Sequence, residues 1–413
     1  MPTFFAKPGQ HALAPIVRLD GDGSSRWAFA QDRARWLMVA DSTGRTELRC
    51  GSLSEGTSDD PLQALANLPR YLAQEDMPRD ARWIGFLSYD LGRRFEKLPE
   101  RAIELPDVPL FAFSLHGSDI PGMHVQLRND DVRSDRRPKL AVSRDNYLAA
   151  IGRCIDYIRA GDIFQVNLSQ RIIAPLREPP IDIYRRLQSD TPASFGAFLQ
   201  YGNFALMCNS PELFFRVDPL PEGGRRIICR PIKGTRPLLP GMDAELLSSV
   251  KDQAELAMIV DLQRNDLGRI CEIGTITVTQ PRKIEAHPTV YHGVATIEGI
   301  LRPDVTLVDI LRAVFPCGSV TGCPKIRAME IIDELEPIRR GPYCGAIGWI
   351  GADGAMEFNV AIRTMMAKDG LVHVPVGGGI VADSDPHAEY DETMVKARAM
   401  LAALGVGEKE LAG

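Results

Sequence analysis

The segment Arg230-Pro-Ile-Lys-Gly-Thr-Arg236 places a lysine between two arginines. Lys233 ends a strand-like run and is followed at once by Gly234. Neighbouring guanidinium groups and partial burial both disfavour an ammonium ion, so they lower the pKa of a lysine. A neutral lysine amine is a competent nucleophile for covalent catalysis. A solvated surface lysine is the more common meaning of such a segment, so the nucleophile stays one of two interpretations.

Two pairs of acidic residues stand three positions apart in segments that are predicted to be helical. The pairs are Asp252 with Glu255 and Glu389 with Glu392. Residues three apart share a helix face. Two such faces brought together would supply the oxygen ligands that Mg²⁺ accepts, with water and substrate completing the octahedron. Each pair alone is more often a solvated helix face, so the spacing does not by itself establish a metal site.

Two glycine-rich loops form the third feature. They are Gly318-Ser-Val-Thr-Gly322, which Pro324 and Lys325 follow closely, and Gly377-Gly-Gly379, which Ile-Val-Ala-Asp383 follows. Glycine lets backbone N–H groups approach and cradle an anionic group. Neither loop has the spacing of a P-loop or of a dinucleotide fingerprint, so nucleotide binding is not indicated. A pair of tight turns is the alternative.

The elements that must position these residues follow one another in mixed order. Apolar residues at steps of three and four predict an amphipathic helix over 145–160, and alternation predicts a half-buried strand over 164–172. Further helices are predicted at 244–268, 305–315, 323–335 and 386–404. Further strands are predicted at 204–209, 213–217, 226–232, 273–279, 344–350, 356–363 and 371–376. Without strict alternation of strand and helix, an α+β class is favoured over a doubly wound sheet.

The composition indicates a globular protein without a basic surface. The chain has 413 residues, of which 45% are hydrophobic and 25% charged, with a formal net charge of -6. Lysines and arginines are scattered among acidic residues, so a nucleic-acid partner has little electrostatic support. The eight cysteines include no C-x-x-C pair. They are therefore predicted to be reduced core residues.

Membrane spans, secretion signals and linkers each have a recognisable composition. No window approaches the roughly 18 apolar residues of a membrane span. Residues 1–10 lack the basic run and apolar stretch of a secretion signal. We therefore predict a cytoplasmic protein with no membrane segment. The polar run at 128–139, which contains one proline, is the best linker candidate and divides the chain into regions 1–135 and 140–408.

Taken together, these segments resemble the chorismate-utilising enzymes, a family that includes anthranilate, aminodeoxychorismate, isochorismate and salicylate synthase large subunits. The resemblance implies an α+β fold in which large antiparallel sheets pack together with helices on the outside. It also implies that regions 1–135 and 140–408 interleave in one compact unit, the second being the chorismate-binding region. The matching motifs, in order, are Asn209-Ser-Pro-Glu-Leu213, Pro231-Ile-Lys-Gly-Thr235, Met258-Ile-Val-Asp-Leu-Gln-Arg-Asn-Asp-Leu-Gly268, Phe315-Pro-Cys-Gly-Ser-Val-Thr-Gly-Cys-Pro-Lys325, Arg327-Ala-Met-Glu-Ile-Ile332, Gly377-Gly-Gly-Ile-Val-Ala-Asp383 and Glu389-Tyr-Asp-Glu-Thr393.

Lys233 also marks a branch of that family. Anthranilate synthases typically carry alanine at this position, whereas aminodeoxychorismate synthases carry lysine. Segments 89–96 and 164–170 are similar to the same branch, and no lysine stands in 160–172, where isochorismate and salicylate synthases place one that activates water. The resemblance thus implies amination of chorismate to 4-amino-4-deoxychorismate, for 4-aminobenzoate and folate synthesis. Anthranilate synthase and a catalytically silent regulatory paralogue are the alternatives.

The resemblance assigns catalytic roles to three residues. Lys233 would attack C2 of chorismate while the C4 hydroxyl leaves, giving a transient covalent adduct. Glu212 would protonate the departing hydroxyl, which requires it to be partly buried. His292 would either transfer protons or orient the substrate.

The same resemblance implies a Mg²⁺ cofactor and a set of substrate contacts. Glu255 and Glu392 would chiefly hold the ion, with Asp252 and Glu389 acting directly or through water. The predicted substrate-binding residues are Arg363, Tyr343, Ser319, Thr321, Gly377, Gly378 and Gly379.

Chorismate and a glutamine amidotransferase subunit are the expected partners. The sequence lacks a Gly-x-Cys-x-Gly nucleophile elbow, so the chain is not expected to hydrolyse glutamine. A separate amidotransferase would supply the ammonia.

Overall fold

The computed structural model describes residues 15–21, 27–31, 34–50, 53–118, 137–407 and 410. Most of the predicted linker at 128–139 lies outside the described residues. The division of the chain near 135–140 therefore stays a prediction.

Mixed strands and helices cover the described chain. The strands are β1 (Ile16–Gly21), β2 (Phe29–Gln31), β3 (Leu37–Ala40), β4 (Thr46–Cys50), β5 (Leu53–Ser58), β6 (Arg82–Leu87), β7 (Phe111–His116), β8 (Lys139–Leu140), β9 (Gln165–Pro175), β10 (Phe195–Tyr201), β11 (Phe204–Ser210), β12 (Leu213–Pro219), β13 (Arg225–Arg230), β14 (Ile232–Pro237), β15 (Thr277–Ala286), β16 (Val290–Ile300), β17 (Gly322–Cys323), β18 (Ala346–Gly351), β19 (Met356–Val360), β20 (Thr364–Lys368) and β21 (Leu371–Ile380). The helices are α1 (Pro61–Leu72), α2 (Arg144–Arg159), α3 (Pro180–Asp190), α4 (Met242–Ser248), α5 (Val250–Gly268), α6 (Leu307–Val314), α7 (Lys325–Leu335) and α8 (Pro386–Ala403), with short 3₁₀ helices at Tyr89–Arg94 and Gly318–Val320.

The strands form two antiparallel sheets. Within the described residues one sheet has nine strands, in the order β17-β9-β21-β20-β11-β10-β1-β2 with β8 beside β9. The other has twelve, in the order β14-β16-β13-β12-β19-β18-β6-β7-β3-β4-β5 with β15 beside β16. Early strands pair with late ones in both sheets, since β1 pairs with β10 and β6 with β18. The site-bearing strands β9, β14, β16 and β21 are thus held in large, shared sheets.

Apolar side chains fill the space between the sheets and cover their outer faces. One core cluster joins residues such as Val17 and Leu199 of the first sheet to Phe86 and Trp349 of the second. Other clusters pack α1 and α6 on the twelve-stranded sheet and α3 and α8 on the nine-stranded one. Burying a Phe-sized side chain contributes about 1.5–3 kcal/mol. The predicted α+β class, with packed antiparallel sheets and outer helices, is confirmed.

Three predicted element boundaries were wrong for identifiable local reasons. The helix predicted at 244–268 breaks at Ser249, whose extended backbone ends α4 and whose hydroxyl accepts a hydrogen bond from the Asp252 N–H at the start of α5. The strand predicted at 226–232 divides at Pro231, a residue without an N–H to donate to a ladder. The strand predicted at 273–279 begins later, because a turn with Gly274 at φ 82° precedes β15.

The cysteines and the helices bear on two further predictions. All eight cysteines are unpaired and six are buried, while Cys50 and Cys323 are partly exposed. In the part of the chain that the structure describes, no helix is both long and apolar enough to cross a membrane.

Candidate active site

A β-bulge places Lys233 at the edge of the twelve-stranded sheet. The register between β14 and β16 shifts between the Ile232 and Thr235 pairs, so that β14 carries an extra residue opposite Gly293. Gly234 takes a φ of 81°, a value that suits glycine and that lets the bulge form. A bulge re-aims a side chain relative to the regular pleat. Here it turns Lys233 toward Gly379 of the other sheet, where a Cβ would lie 3.4 Å from the lysine Nζ.

The surroundings of Lys233 lower the pKa of its amine. Burial is the main cause and the nearby Lys396 adds to it, while the carboxylates of Glu255, Glu212 and Glu392 oppose it. The two flanking arginines, which the sequence suggested as a cause, act elsewhere. Their guanidinium groups bind other carboxylates, those of Glu285 at 2.7 Å from Arg230 and of Glu245 at 2.9 Å from Arg236.

Glu212 is a buried carboxyl in the connection between β11 and β12, with 4% of its surface exposed. Burial raises its pKa to about 7, although a hydrogen bond from Ser319 and the charge of Lys233 pull the value down. Its Oε1 atom has no hydrogen-bond partner among the described residues. The side chain is therefore half-protonated near neutral pH and has one oxygen free to face a ligand, as a proton donor requires.

The loop that follows α6 supports Glu212. Ser319, in the 3₁₀ turn, is buried and its Oγ lies 3.2 Å from the sulfur of Cys317. Thr321 is fully buried and its hydroxyl donates to the Cys317 carbonyl at 3.0 Å. Of these two predicted substrate contacts, Ser319 lies beside the candidate acid, whereas the Thr321 hydroxyl is engaged in shaping the loop.

His292 lies on β16, opposite Thr235 of β14. Its Nδ1 is 3.0 Å from the Thr235 hydroxyl and its ring contacts that of His287. Burial, with the nearby His287 and Arg363, lowers the pKa of His292 to about 4. The imidazole is thus neutral at pH 7. Because Thr235 lies two positions after Lys233, His292 lies beside the bulge that carries the lysine.

The four predicted metal ligands do not gather in one group. Glu255 and Glu392, on α5 and α8, both act electrostatically on Lys233. Glu389 instead accepts a hydrogen bond from Ser384 at 2.6 Å, and Asp252 binds Arg236 at 3.0 Å. Among the described residues, no three His, Cys, Asp or Glu side chains come together as a metal-binding cluster.

The Glu255 and Glu392 pair still suits a magnesium ion. Mg²⁺ is commonly held by one or two carboxylates, keeps several waters and takes oxygen ligands from its substrate. Two carboxylates that face one lysine from separate helices offer such an oxygen-only donor set. Burial raises the pKa of Glu389, and the neighbouring Glu392 carboxylate raises it further. A cation between these helices would relieve that repulsion.

The three glycines of β21 form a wall of the site without room for side chains. A Cβ on Gly377 would lie 2.7 Å from the Leu168 carbonyl, and one on Gly379 would overlap the Gln165 amide. A Cβ on Gly378 would lie 3.3 Å from Glu389. The backbone at these three positions is therefore packed closely against neighbouring protein atoms. The segment that the sequence suggested as a loop or tight turn is part of strand β21.

Tyr343 is buried and Arg363 is half-buried. Arg363 lies near the same wall through its contact with Lys396, which binds the Gly377 carbonyl. Arg363 has a φ of 50°, which is unusual for a side chain other than glycine. Its guanidinium donates to the Lys396 carbonyl at 3.3 Å and acts electrostatically on Tyr343 and Glu392. Burial lowers the pKa of Arg363 and raises that of Tyr343 well above its usual value.

Two residues of the site were missed as functional candidates. Lys396 binds the Gly377 carbonyl at 2.9 Å and the Glu392 carboxylate at 2.7 Å. Its spacing of four from Glu392 on one helix could have suggested it. Gln165 is buried beside Gly379 and its Oε1 has no hydrogen-bond partner among the described residues. No local pattern marks Gln165, because its neighbours come from distant strands.

Known proteins resemble the chain in sequence and in fold. A model of the chorismate binding enzyme family matches residues 124–402. Anthranilate synthase component 1 of Thermus thermophilus is 47% identical over 277 residues, which are 65% of this chain and 58% of that protein. Aminodeoxychorismate synthase component 1 of Escherichia coli is 38% identical over 382 residues, which are 84% of this chain and 83% of that protein. The crystal structure of anthranilate synthase component I from Streptococcus pneumoniae, 29% identical, covers 93% of this chain and 95% of its own with a TM-score of 0.73.

Proposed function

Because the chain belongs to the chorismate binding enzyme family, we propose that it aminates chorismate at C4 to give 4-amino-4-deoxychorismate. The position of Lys233 is the observation that most strongly supports this proposal. A bulge turns this lysine toward the glycine wall, its pKa is lowered, and it interacts with the buried acid Glu212. A candidate nucleophile on β14 and a candidate acid in the connection between β11 and β12 thus interact.

Anthranilate synthesis is the second candidate, and sequence identity favours it. The Thermus thermophilus anthranilate synthase component is 47% identical, against 38% for the Escherichia coli aminodeoxychorismate synthase component. The first match, however, spans 58% of its relative and the second 83%. Lys233 favours C4 amination, because the resemblance gives alanine at this position to anthranilate synthases.

The first half of the proposed reaction removes the C4 hydroxyl. The neutral Lys233 amine forms a bond to C2 of chorismate, both double bonds of the ring diene shift, and the C4–O bond breaks. Glu212 gives its proton to the departing oxygen, which leaves as water. A pKa of about 7 for Glu212 suits this donation at neutral pH.

The second half installs the amine. Ammonia forms a bond to C4, both ring double bonds shift back, and the C2–N bond to Lys233 breaks. The ionised Glu212 accepts the proton that the incoming ammonia loses, so the acid and the lysine both return to their starting states. The net change is the replacement of hydroxyl by amine with the release of one water.

Charged groups around Lys233 would bind the two carboxylates of chorismate. Glu255 and Glu392 would hold a Mg²⁺ ion, with Glu389 as a further ligand directly or through water. When bound, that ion would neutralise the ring carboxylate and draw off charge that develops during displacement. Arg363, Tyr343 and the Gly377–379 backbone would receive the enolpyruvyl carboxylate, for which a guanidinium fork is well shaped. His292, neutral at pH 7, would orient substrate or pass a proton.

Product analysis tests the proposal. The chain is incubated with chorismate, Mg²⁺ and either ammonium or glutamine, and the products are separated and weighed by mass spectrometry. We expect aminodeoxychorismate with ammonium and none with glutamine unless an amidotransferase subunit is added. Release of pyruvate with anthranilate would overturn C4 amination in favour of the second candidate. Product from glutamine with the chain alone would overturn the proposed partner.

A further inference from the structure

A buried ion pair lies against strand β9, behind the glycine wall. Arg340 and Glu336 are 3% and 4% exposed. The Arg340 Nε and Nη2 atoms donate to the two carboxylate oxygens of Glu336 at 3.0 and 2.6 Å. The face of the Tyr89 ring covers the guanidinium, with its centroid 4.7 Å from Cζ. Burial of a full ion pair is costly unless its remaining donors are satisfied.

The remaining donors of Arg340 bind main-chain oxygens of two segments that bear the site. Nη1 donates to the Val320 carbonyl at 2.8 Å, and Nη2 donates to the Asn167 carbonyl at 2.6 Å. Val320 follows Ser319, the hydrogen-bond donor to Glu212. Asn167 lies on β9 directly opposite Gly379 of β21. One guanidinium group therefore ties the loop beside the acid to the strand beneath the glycine wall.

Glu336 extends the same connection. Its Oε1 accepts a hydrogen bond from the Ser169 N–H at 2.7 Å. Ser169 pairs with Gly377 in the register of β9 and β21. The pair thus contacts β9 at both ends of the three-glycine wall. Because the guanidinium is planar and rigid, it fixes the relative position of the groups that it binds.

We propose that Arg340, with Glu336, is a positioning residue that sets the distance between the Ser319 loop and the Gly377–379 wall. The inference rests on the proposed function in that the Ser319 loop and the Gly377–379 wall are taken to enclose chorismate; these two segments are the two walls of the site. A lysine at 340 would keep the charge beside Glu336, but its single nitrogen cannot reproduce the fork that reaches Val320 and Asn167 together.

Asp333, in the last turn of α7, provides a matched control. It is 3% exposed, lies three positions before Glu336, and pairs with Arg93 while accepting from the Arg101 N–H at 2.8 Å. It therefore belongs to a separate ion pair, between a buried carboxylate and a half-buried guanidinium, whose members lie outside the Ser319 loop and the glycine wall. Asp333→Asn should lower stability as a broken buried pair does, without moving the Ser319 loop.

The test compares Arg340→Lys and Asp333→Asn with the wild type. Melting temperature, kcat and KM for chorismate with Mg²⁺ and ammonium are measured well below the melting transitions. Displacement of the walls should lower kcat by about 10- to 100-fold in Arg340→Lys. Asp333→Asn should keep kcat within about 2-fold of the wild type at a similar loss of melting temperature. Equal kcat losses in the two variants, or a wild-type kcat in Arg340→Lys, would overturn the proposal.

A second readout is independent of turnover. The protonation of Glu212 is followed by infrared difference spectroscopy of its carboxyl group, with Glu212→Gln to assign the signal. Since the Ser319 hydrogen bond lowers the pKa of Glu212, its loss in Arg340→Lys should move the titration upward, by about half a pH unit. Asp333→Asn should leave the titration in place. If the wild type makes no chorismate product, the proposed function fails while this titration still decides the positioning role.

Discussion

At the scale of single residues, the proposed chemistry depends on Glu212 and Lys233, whose pKa values are shifted toward each other. Burial raises the pKa of Glu212 to about 7 and lowers that of Lys233. A protonated acid and a neutral amine can therefore coexist closer to neutral pH than either would in water. The same burial that enables this chemistry must reduce stability, because it disfavours the ionised carboxylate.

That cost gives a pH-dependent prediction for Glu212→Gln. Raising the pKa from 4.5 to about 7 corresponds to about 3 kcal/mol, at about 1.4 kcal/mol per unit. In the wild type, the free energy of unfolding falls by this amount as the pH rises from the pKa of Glu212 in the unfolded chain through its pKa in the folded protein. The variant cannot ionise, so the difference in unfolding free energy should move in its favour by up to about 3 kcal/mol between about pH 4 and about pH 8.

Urea denaturation at several pH values measures this difference. Glu222→Gln, at an exposed position in the turn after β12, is the control and should show little such trend. A difference for Glu212→Gln that stays constant with pH would mean that the Glu212 carboxyl is not shifted upward in the folded protein.

At the scale of elements, the β14 bulge and the glycine strand β21 bring the lysine and the wall together. A Cβ on Gly379 would overlap the Gln165 amide and lie 3.4 Å from the Lys233 Nζ. Gly379→Ala should therefore displace both side chains and lower kcat/KM for chorismate by about 10-fold or more.

Gly152→Ala is the matched control for this substitution. Gly152 lies inside α2, and a Cβ there would have open space around it. The control should keep its activity and gain about 0.5–1 kcal/mol of stability in urea denaturation, because alanine is the better helix former. A wild-type kcat/KM in Gly379→Ala would show that the wall tolerates a side chain at this position. It would contradict a role for the glycine wall in the site.

Element boundaries show what local sequence can predict. The helices predicted at 323–335 and 386–404 agree within two residues with α7 (Lys325–Leu335) and α8 (Pro386–Ala403). The break at Ser249 was missed, although serine is a preferred N-cap residue. Its extended backbone separates α4 from α5. The bulge at Lys233 depends on register with β16, which no local window contains.

At the scale of the whole molecule, the two sheets join residues that are far apart in sequence. The motifs and the family resemblance were sufficient to predict the α+β class with its packed antiparallel sheets. They could not predict which charges meet. Arg230 and Arg236, each three positions from Lys233 in sequence, bind other carboxylates, while Lys396 approaches the lysine from α8. Asp252, which was predicted as a metal ligand, pairs with Arg236. This pairing also depends on how the elements pack and not on the neighbouring sequence. The roles proposed for the site residues remain predictions.

The most direct test of the account is the mass of the intact protein during incubation with chorismate and Mg²⁺ in the absence of ammonia, beside Lys233→Ala. We predict a species heavier by chorismate less one water, located by digestion on the peptide that contains Lys233 and absent from the variant. Addition of ammonium should discharge it as aminodeoxychorismate. Aminodeoxychorismate formed by Lys233→Ala at the wild-type rate would contradict the covalent role of this lysine.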